Sequence, residues 1–170
     1  MALVLNTDTY VTQTDATAYI AKNYITTDAE YINWNALTSD NKDALLRKAA
    51  QVIDRQVLTG FKAVSTQTMQ FPRTIYTDNG IVGTPYNNSI IGEDWYVQSE
   101  TPAEVVSAQI EIAAEMTKGT NARAEMQRQG VKSFSLGKLS ESYSGTGNSI
   151  ISFTARELLK PYISGGVRIC

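Results

Sequence analysis

Apolar positions recur at helical spacing in four stretches of this chain, and between the second and third of these the pattern gives way to turn residues. From Thr14 to Tyr24, Ala16, Tyr19, Ile20 and Tyr24 share a face, with Thr14 placed to cap the helix. Beyond a loop carrying Trp34, Thr38-Ser39-Asp40 opens a second helix reaching Leu58. Its apolar face is Leu45, Ala49, Val52, Ile53 and Val57, with Gly60 closing the helix through a left-handed backbone. The third helix, Pro102 to Lys118, begins at Thr101-Pro102-Ala103-Glu104, which has the form of a capping box with proline at the first helical position. Its Val105, Val106, Ala108, Ile110, Ile112, Ala113 and Met116 leave only a narrow polar stripe of Glu104, Ser107, Glu111 and Glu115, so the helix needs burial on more than one side. The last helix runs from Phe153 to Ile163, capped by Ser152, and Pro161 ends or kinks it.

Between Lys62 and Glu100 the chain should be irregular, with short strands. Asp78-Asn79-Gly80, set between Ile75-Tyr76-Thr77 and Ile81-Val82, reads as a hairpin turn. Val131 to Tyr143 reads as two short strands about Gly137-Lys138, and Ser144 to Ser149 as a flexible break. The expected fold is therefore mainly α: a small bundle of about four helices with a short β-hairpin excursion and a long irregular loop. Residues 1–163 form one domain, with 62–100 as the loop and hairpin insertion, 131–143 as short strands and 164–170 as a flexible tail.

Composition narrows the chemistry. The chain has 170 residues, 15 Lys+Arg against 17 Asp+Glu, and a net charge of -2, so it lacks the basic footprint of a nucleic-acid-binding domain. Histidine is absent, which removes the commonest general base and metal ligand. The single cysteine, Cys170, allows neither an internal disulfide nor a thiolate zinc site. The N-terminus has no basic region of a signal peptide, and no apolar run reaches membrane-spanning length. Glu111 and Glu115 share a helix face, as carboxylate metal sites do, but the Glu-x-x-His partner motif cannot be built, and a solvated stripe is the simpler reading. Gly145-Thr146-Gly147 fits no phosphate-binding loop. Arg73, in Phe71-Pro72-Arg73, with Tyr76, Tyr86, Trp95 and Tyr96 could form a base-stacking platform; the alternative is that Phe71 plugs the core. No catalytic residue, cofactor or metal is expected.

The order of the motifs is more informative than any one of them. Asp8-Thr9-Tyr10-Val11 leads to Asp15-Ala16-Thr17-Ala18-Tyr19-Ile20, then Trp34 and Leu37 through Ala49. Phe71-Pro72-Arg73, Thr101 through Val105, Gly130 through Ser133 and Leu158 through Ile163 follow. In this order they resemble the head-to-tail connector (adaptor) proteins of tailed bacteriophages, whose relatives are often labelled DnaT-like single-stranded-DNA-binding proteins. Two departures are Phe71 where that family usually has Trp, and the extra length from Gly83 to Gln98.

The resemblance implies a virion structural protein, not an enzyme. About twelve copies would form a ring beneath the portal, in the neck between capsid and tail, after assembly in the host cytoplasm. The ring would extend the DNA channel, pass double-stranded DNA without reading its sequence, and offer its far side to a stopper or tail-completion protein, with no membrane involved. Under this reading Val167, Arg168, Ile169 and Cys170 dock to the portal, and Tyr86, Trp95 and Tyr96 contact a neighbour or the tail protein. Val105, Val106, Ile110 and Ile112 pack the ring, and Glu104, Glu111 and Glu115 face the channel. The alternative is a DnaT-like single-stranded-DNA-binding accessory protein that uses Arg73 and the loop aromatics. A third reading, a carboxylate-dependent hydrolase, rests on Glu111 and Glu115 alone.

Overall fold

The computed structural model describes residues 3–76, 95–119, 133–136, 139–142, 150 and 152–163. Among these are five helices: α1 (Gln13–Asn23), α2 (Ala29–Ala36), α3 (Ser39–Asp54), α4 (Ala103–Met116) and α5 (Phe153–Leu159). Strands β1 (Phe61–Lys62), β2 (Arg73–Tyr76) and β3 (Trp95–Val97) form one antiparallel sheet in the order β1-β2-β3. Strands β4 (Ser133–Leu136) and β5 (Leu139–Ser142) form a separate antiparallel pair closing at Leu136 and Leu139, as the alternation about Gly137-Lys138 predicts. The protein is thus a mainly α domain with a small β component.

Local chemistry sets the helix boundaries. The cap of α1 is Thr12, not Thr14: its hydroxyl accepts from the Asp15 amide at 3.1 Å and lies 2.6 Å from the Asp15 carboxylate, so one side chain serves both groups of the third helical residue. Residues 29–36, read from the sequence as a loop, form α2. Only Trp34 of that helix is buried, and its indole N–H donates to the Thr17 hydroxyl at 3.2 Å. Helix α3 is capped by Thr38 as expected, but it stops at Asp54, four residues short of Leu58. Its buried face, Leu46, Ala49, Ala50 and Ile53, is rotated from the expected one, and Val57 is 73% exposed.

Gly60 has φ +71°, yet it ends no helix. It begins the strand region, where a Cβ would sit 2.0 Å from the Thr74 carbonyl oxygen, so glycine is required by the approach of β2. Strand β2 pairs with β1 on one side and with β3 on the other, where Ile75 lies opposite Tyr96; the expected partner Ile81-Val82 and its turn lie outside the described residues.

The start of α4 also differs. Pro102 is the N-cap and its carbonyl accepts from the Val105 and Val106 amides at 3.0 and 3.2 Å, while the Thr101 hydroxyl is buried with no hydrogen-bond partner. Proline already supplies the fixed φ of a helix entry, and shifting the start by one residue carries Thr101 out of capping range. Helix α4 packs against α1, α2, α3 and α5. Phe71, 1% exposed, plugs the core edge-on to Tyr10 and Tyr162, with ring centroids 5.9 and 5.4 Å away, and the Phe71–Pro72 peptide is cis. Helix α5, capped by Ser152, ends before Pro161, and the chain beyond is held by the Thr59 amide donating to the Tyr162 carbonyl at 2.8 Å.

Candidate functional surface

Most polar groups that sequence alone offers to a ligand are committed inside the protein. Arg73 is 4% exposed. Its Nε donates to the Thr59 carbonyl at 2.8 Å, one terminal nitrogen to the Gly60 carbonyl at 2.7 Å, and the other to the Gln70 carbonyl and side chain at 3.2 and 2.9 Å. The guanidinium thereby ties the segment after α3 to β2, and it cannot also be the phosphate contact of an Arg73-centred groove.

The acidic stripe of α4 is likewise divided. Glu111 is 8% exposed and accepts from the Tyr19 hydroxyl at 2.9 Å and the Tyr24 hydroxyl at 2.7 Å. Burial, followed by the bond to Glu111 and repulsion from its charge, pushes Tyr19 up to about 12 and raises Tyr24 further. Glu111 is therefore a buried tie between α4 and the α1 segment. Glu104 accepts from Tyr162 at 3.3 Å. Glu115 meets Lys118 at 3.0 Å, and Lys118 meets Glu30 at 2.6 Å. Of the positions expected to pack a ring, Val105, Ile110 and Ile112 are at most 2% exposed within the single chain, so its own helices supply the many-sided burial. Val106 is half-buried and remains available at the surface.

Two buried networks escaped sequence reading. Gln109, fully buried, donates to the Thr9 hydroxyl at 2.7 Å and the Leu46 carbonyl at 2.8 Å, and accepts from the Tyr10 amide at 2.9 Å. The Tyr10 hydroxyl donates to the Asp54 carboxylate and accepts from the Gln70 and Phe71 amides. Burial raises Asp54 above the ordinary aspartate value despite the bond from Tyr10, and burial and that same bond raise Tyr10. Gln109 had one legible signal, a lone amide inside the apolar run of α4.

The available surface lies at the sheet and beside the start of α4. Trp95 is half-buried against Phe61, with ring centroids 5.3 Å apart at 50°, and Phe61 is 54% exposed. The Tyr96 hydroxyl is buried without a hydrogen-bond partner, and burial raises its pKa. Immediately after β3, a groove of about 380 Å³ is lined by Ser99, Glu100, Thr101, Pro102, Val106 and Ser107, among others. Tyr86 and the tail residues Val167, Arg168, Ile169 and Cys170 lie outside the described residues. Among the described residues no three His, Cys, Asp or Glu side chains gather as metal ligands, and no helix is long and apolar enough to cross a membrane.

These features define a mainly helical domain whose interior polar groups serve the fold, with the Phe61–Trp95 pair and the adjoining groove reaching the surface. The family model described as "Putative DnaT-like ssDNA binding protein" matches residues 2–169, and the chain belongs to that family. No curated protein and no solved structure matches it.

Proposed function

We propose that the chain is a non-enzymatic assembly subunit of the head-tail connector type. Copies would form a ring under a portal in the virion neck, pass double-stranded DNA, and receive a stopper or tail-completion protein. The observation that carries this reading is the internal commitment of Arg73: the side chain best suited to grip phosphate is consumed by backbone carbonyls. In a chain of net charge -2, the remaining surface suits protein contacts better than a polyanion. The collinear motifs from Asp8 to Ile163 support the same reading. Mixing the purified protein with portal-bearing, DNA-filled heads lacking their connector tests it. Electron microscopy should show added density beneath the portal; heads that bind no subunit at saturating concentration would refute it.

Single-stranded-DNA binding is the second reading, and the family description supports it more directly than it supports the connector. With Arg73 unavailable, its candidate platform is the Phe61–Trp95 pair, on which bases could stack. Gel shifts with short oligonucleotides at about 50 and 200 mM salt separate the two. Salt-sensitive binding that is lost in Phe61→Ala and Trp95→Ala would favour the DNA reading. No shift at micromolar protein would remove it.

A further inference from the structure

The segment that follows α5 is sewn to the segment that follows α3. The Thr59 amide and hydroxyl both donate to the Tyr162 carbonyl, at 2.8 and 3.2 Å, and Leu58 and Ile163 form an antiparallel bridge. Ile163 is thereby fixed beside a stretch whose Val57, Phe61 and Val64 are 73%, 54% and 57% exposed. Single exposed apolar residues are ordinary, but three within eight positions, one of them on the edge strand β1, call for a cover.

Strand register shows which face they border. Phe61 lies opposite Thr74 and Thr74 opposite Val97, so Phe61 shares a face of the sheet with Val97 and, two residues back along β3, with Trp95. The other face carries Ile75, a member of the core, which puts the Phe61–Trp95 pair on the outer face. Bridged residues sit about 5 Å apart and three residues span at most about 10 Å, so Phe61 is within roughly 15 Å of Ile163. The sequence continues from Ile163 as Ser164-Gly165-Gly166-Val167-Arg168-Ile169-Cys170. Val167 is four steps and Ile169 six steps from Ile163, about 13 and 20 Å of extended chain, which spans that distance. The two glycines let the backbone change direction, and in an extended Val167-Arg168-Ile169 both apolar side chains fall on one side with Arg168 on the other.

We propose that residues 164–170 fold back over the outer face of the sheet in the free subunit, with Val167 and Ile169 packed on Phe61 and Trp95. The contact continues the pairing already made by Tyr162 and Ile163. A segment tethered this closely meets its surface at an effective concentration of about a millimolar, so modest apolar packing holds it there. The inference goes beyond either reading of function: a partner that takes the tail, or one that takes the Phe61–Trp95 face, must first separate the two.

Cys170 is the single thiol of the chain, so one introduced thiol maps the tail directly. Purified Val64→Cys, oxidised mildly at low protein concentration, should close an intramolecular disulfide with Cys170. Adding Val167→Ser/Ile169→Ser, or Phe61→Ala, should slow closure by about tenfold, since each change removes apolar contact equivalent to two or more methylene groups. A tail that is merely tethered nearby would close at the same rate in all of these backgrounds. That result overturns the proposal, as does a Val64→Cys protein that forms no disulfide, or one whose product is a dimer that grows with concentration, which would seat the tail on a second copy. Melting curves of the reduced proteins identify any variant that slows closure through the fold, and the tail double variant keeps the test intact if Phe61→Ala is destabilised. Neither portal nor DNA is present, so the outcome is independent of which reading of function holds.

Discussion

Replacing Gln109 with leucine should destabilise the protein more than its position in an apolar helix suggests. The residue has no exposed surface, and its amide makes all three of its described bonds to groups far away in sequence: the Tyr10 amide, the Thr9 hydroxyl and the Leu46 carbonyl. Leucine fills similar space and removes an amide that is costly to bury, but it strands the Tyr10 N–H at a buried position. An orphaned buried donor costs about 1–3 kcal/mol and each lost neutral bond about 0.5–1.5 kcal/mol, partly offset by the apolar gain, so the net loss should be about 3 kcal/mol. In urea melts this appears as a lower midpoint at unchanged slope, and in thermal melts as a fall of about 6–12 °C for a chain of this size. Thr9→Val combined with Gln109→Leu should cost less than the sum of the single changes, by about 1 kcal/mol, because the two side chains bond each other. A Gln109→Leu protein within about 0.5 kcal/mol of wild type would refute the claim that this amide joins the N-terminal segment to α3 and α4.

Three further outcomes follow from other polar groups. Thr101→Val should be neutral or stabilising by up to about 1 kcal/mol in a chemical melt, because the Thr101 hydroxyl is buried without a partner; a loss of that size would restore it as the cap of α4. Arg73→Lys should cost about 2–4 kcal/mol, since one ammonium cannot span the carbonyls of Thr59, Gly60 and Gln70, and it should leave any oligonucleotide affinity unchanged when measured below the melting temperature; a stable variant with a reduced salt slope would make Arg73 a phosphate contact after all. At Glu30, burial is the largest single influence and pulls the pKa up, but the hydrogen bond from Lys118, a backbone hydrogen bond and the Lys118 charge together outweigh it and leave the carboxyl below its ordinary value of 4.5. A depressed folded pKa stabilises above the unfolded value and is lost as pH falls through the folded one, so the small melting difference between wild type and Glu30→Gln should be present at pH 6 and vanish near pH 3.

The helices were legible where one face or an entire circumference is apolar. Helix α4 announces itself through Val105, Ala108, Ile112 and their neighbours, and the β4–β5 pair through the alternation on either side of Gly137. Its cap was misread because Thr-Pro-Ala-Glu is compatible with proline as either the cap or the first helical residue, and only the backbone decides between them. Helix α2 was missed because its one buried residue, Trp34, gives no periodicity. The candidate site was least legible for the same reason that its residues are buried. Arg73 bonds to backbone carbonyls, which have no residue identity to recognise, and Glu111 bonds to tyrosines some 90 positions earlier in the chain. Charge and periodicity could mark these residues as unusual, but not say whether solvent or protein would satisfy them.

Gln109 and Glu111 are two positions apart on α4, and at 100° per residue their side chains leave the helix on nearly opposite sides. One side is tied through Gln109 to the N-terminal segment and α3, the other through Glu111 to α1. With α5 also packed on it, α4 is the axis about which the other elements are fixed. A partner of either proposed kind must therefore engage the periphery, and substitutions in α4 would affect binding through the fold before they affected any contact. This orders the experiments. Loss of activity in Glu111→Gln is informative only if its melting curve matches wild type, because the change removes the charged acceptor of two tyrosines. Loss of activity in Phe61→Ala, whose ring is 54% exposed and touches only the half-buried Trp95 among the described ring contacts, reports on the partner more directly once its melting curve is matched in the same way.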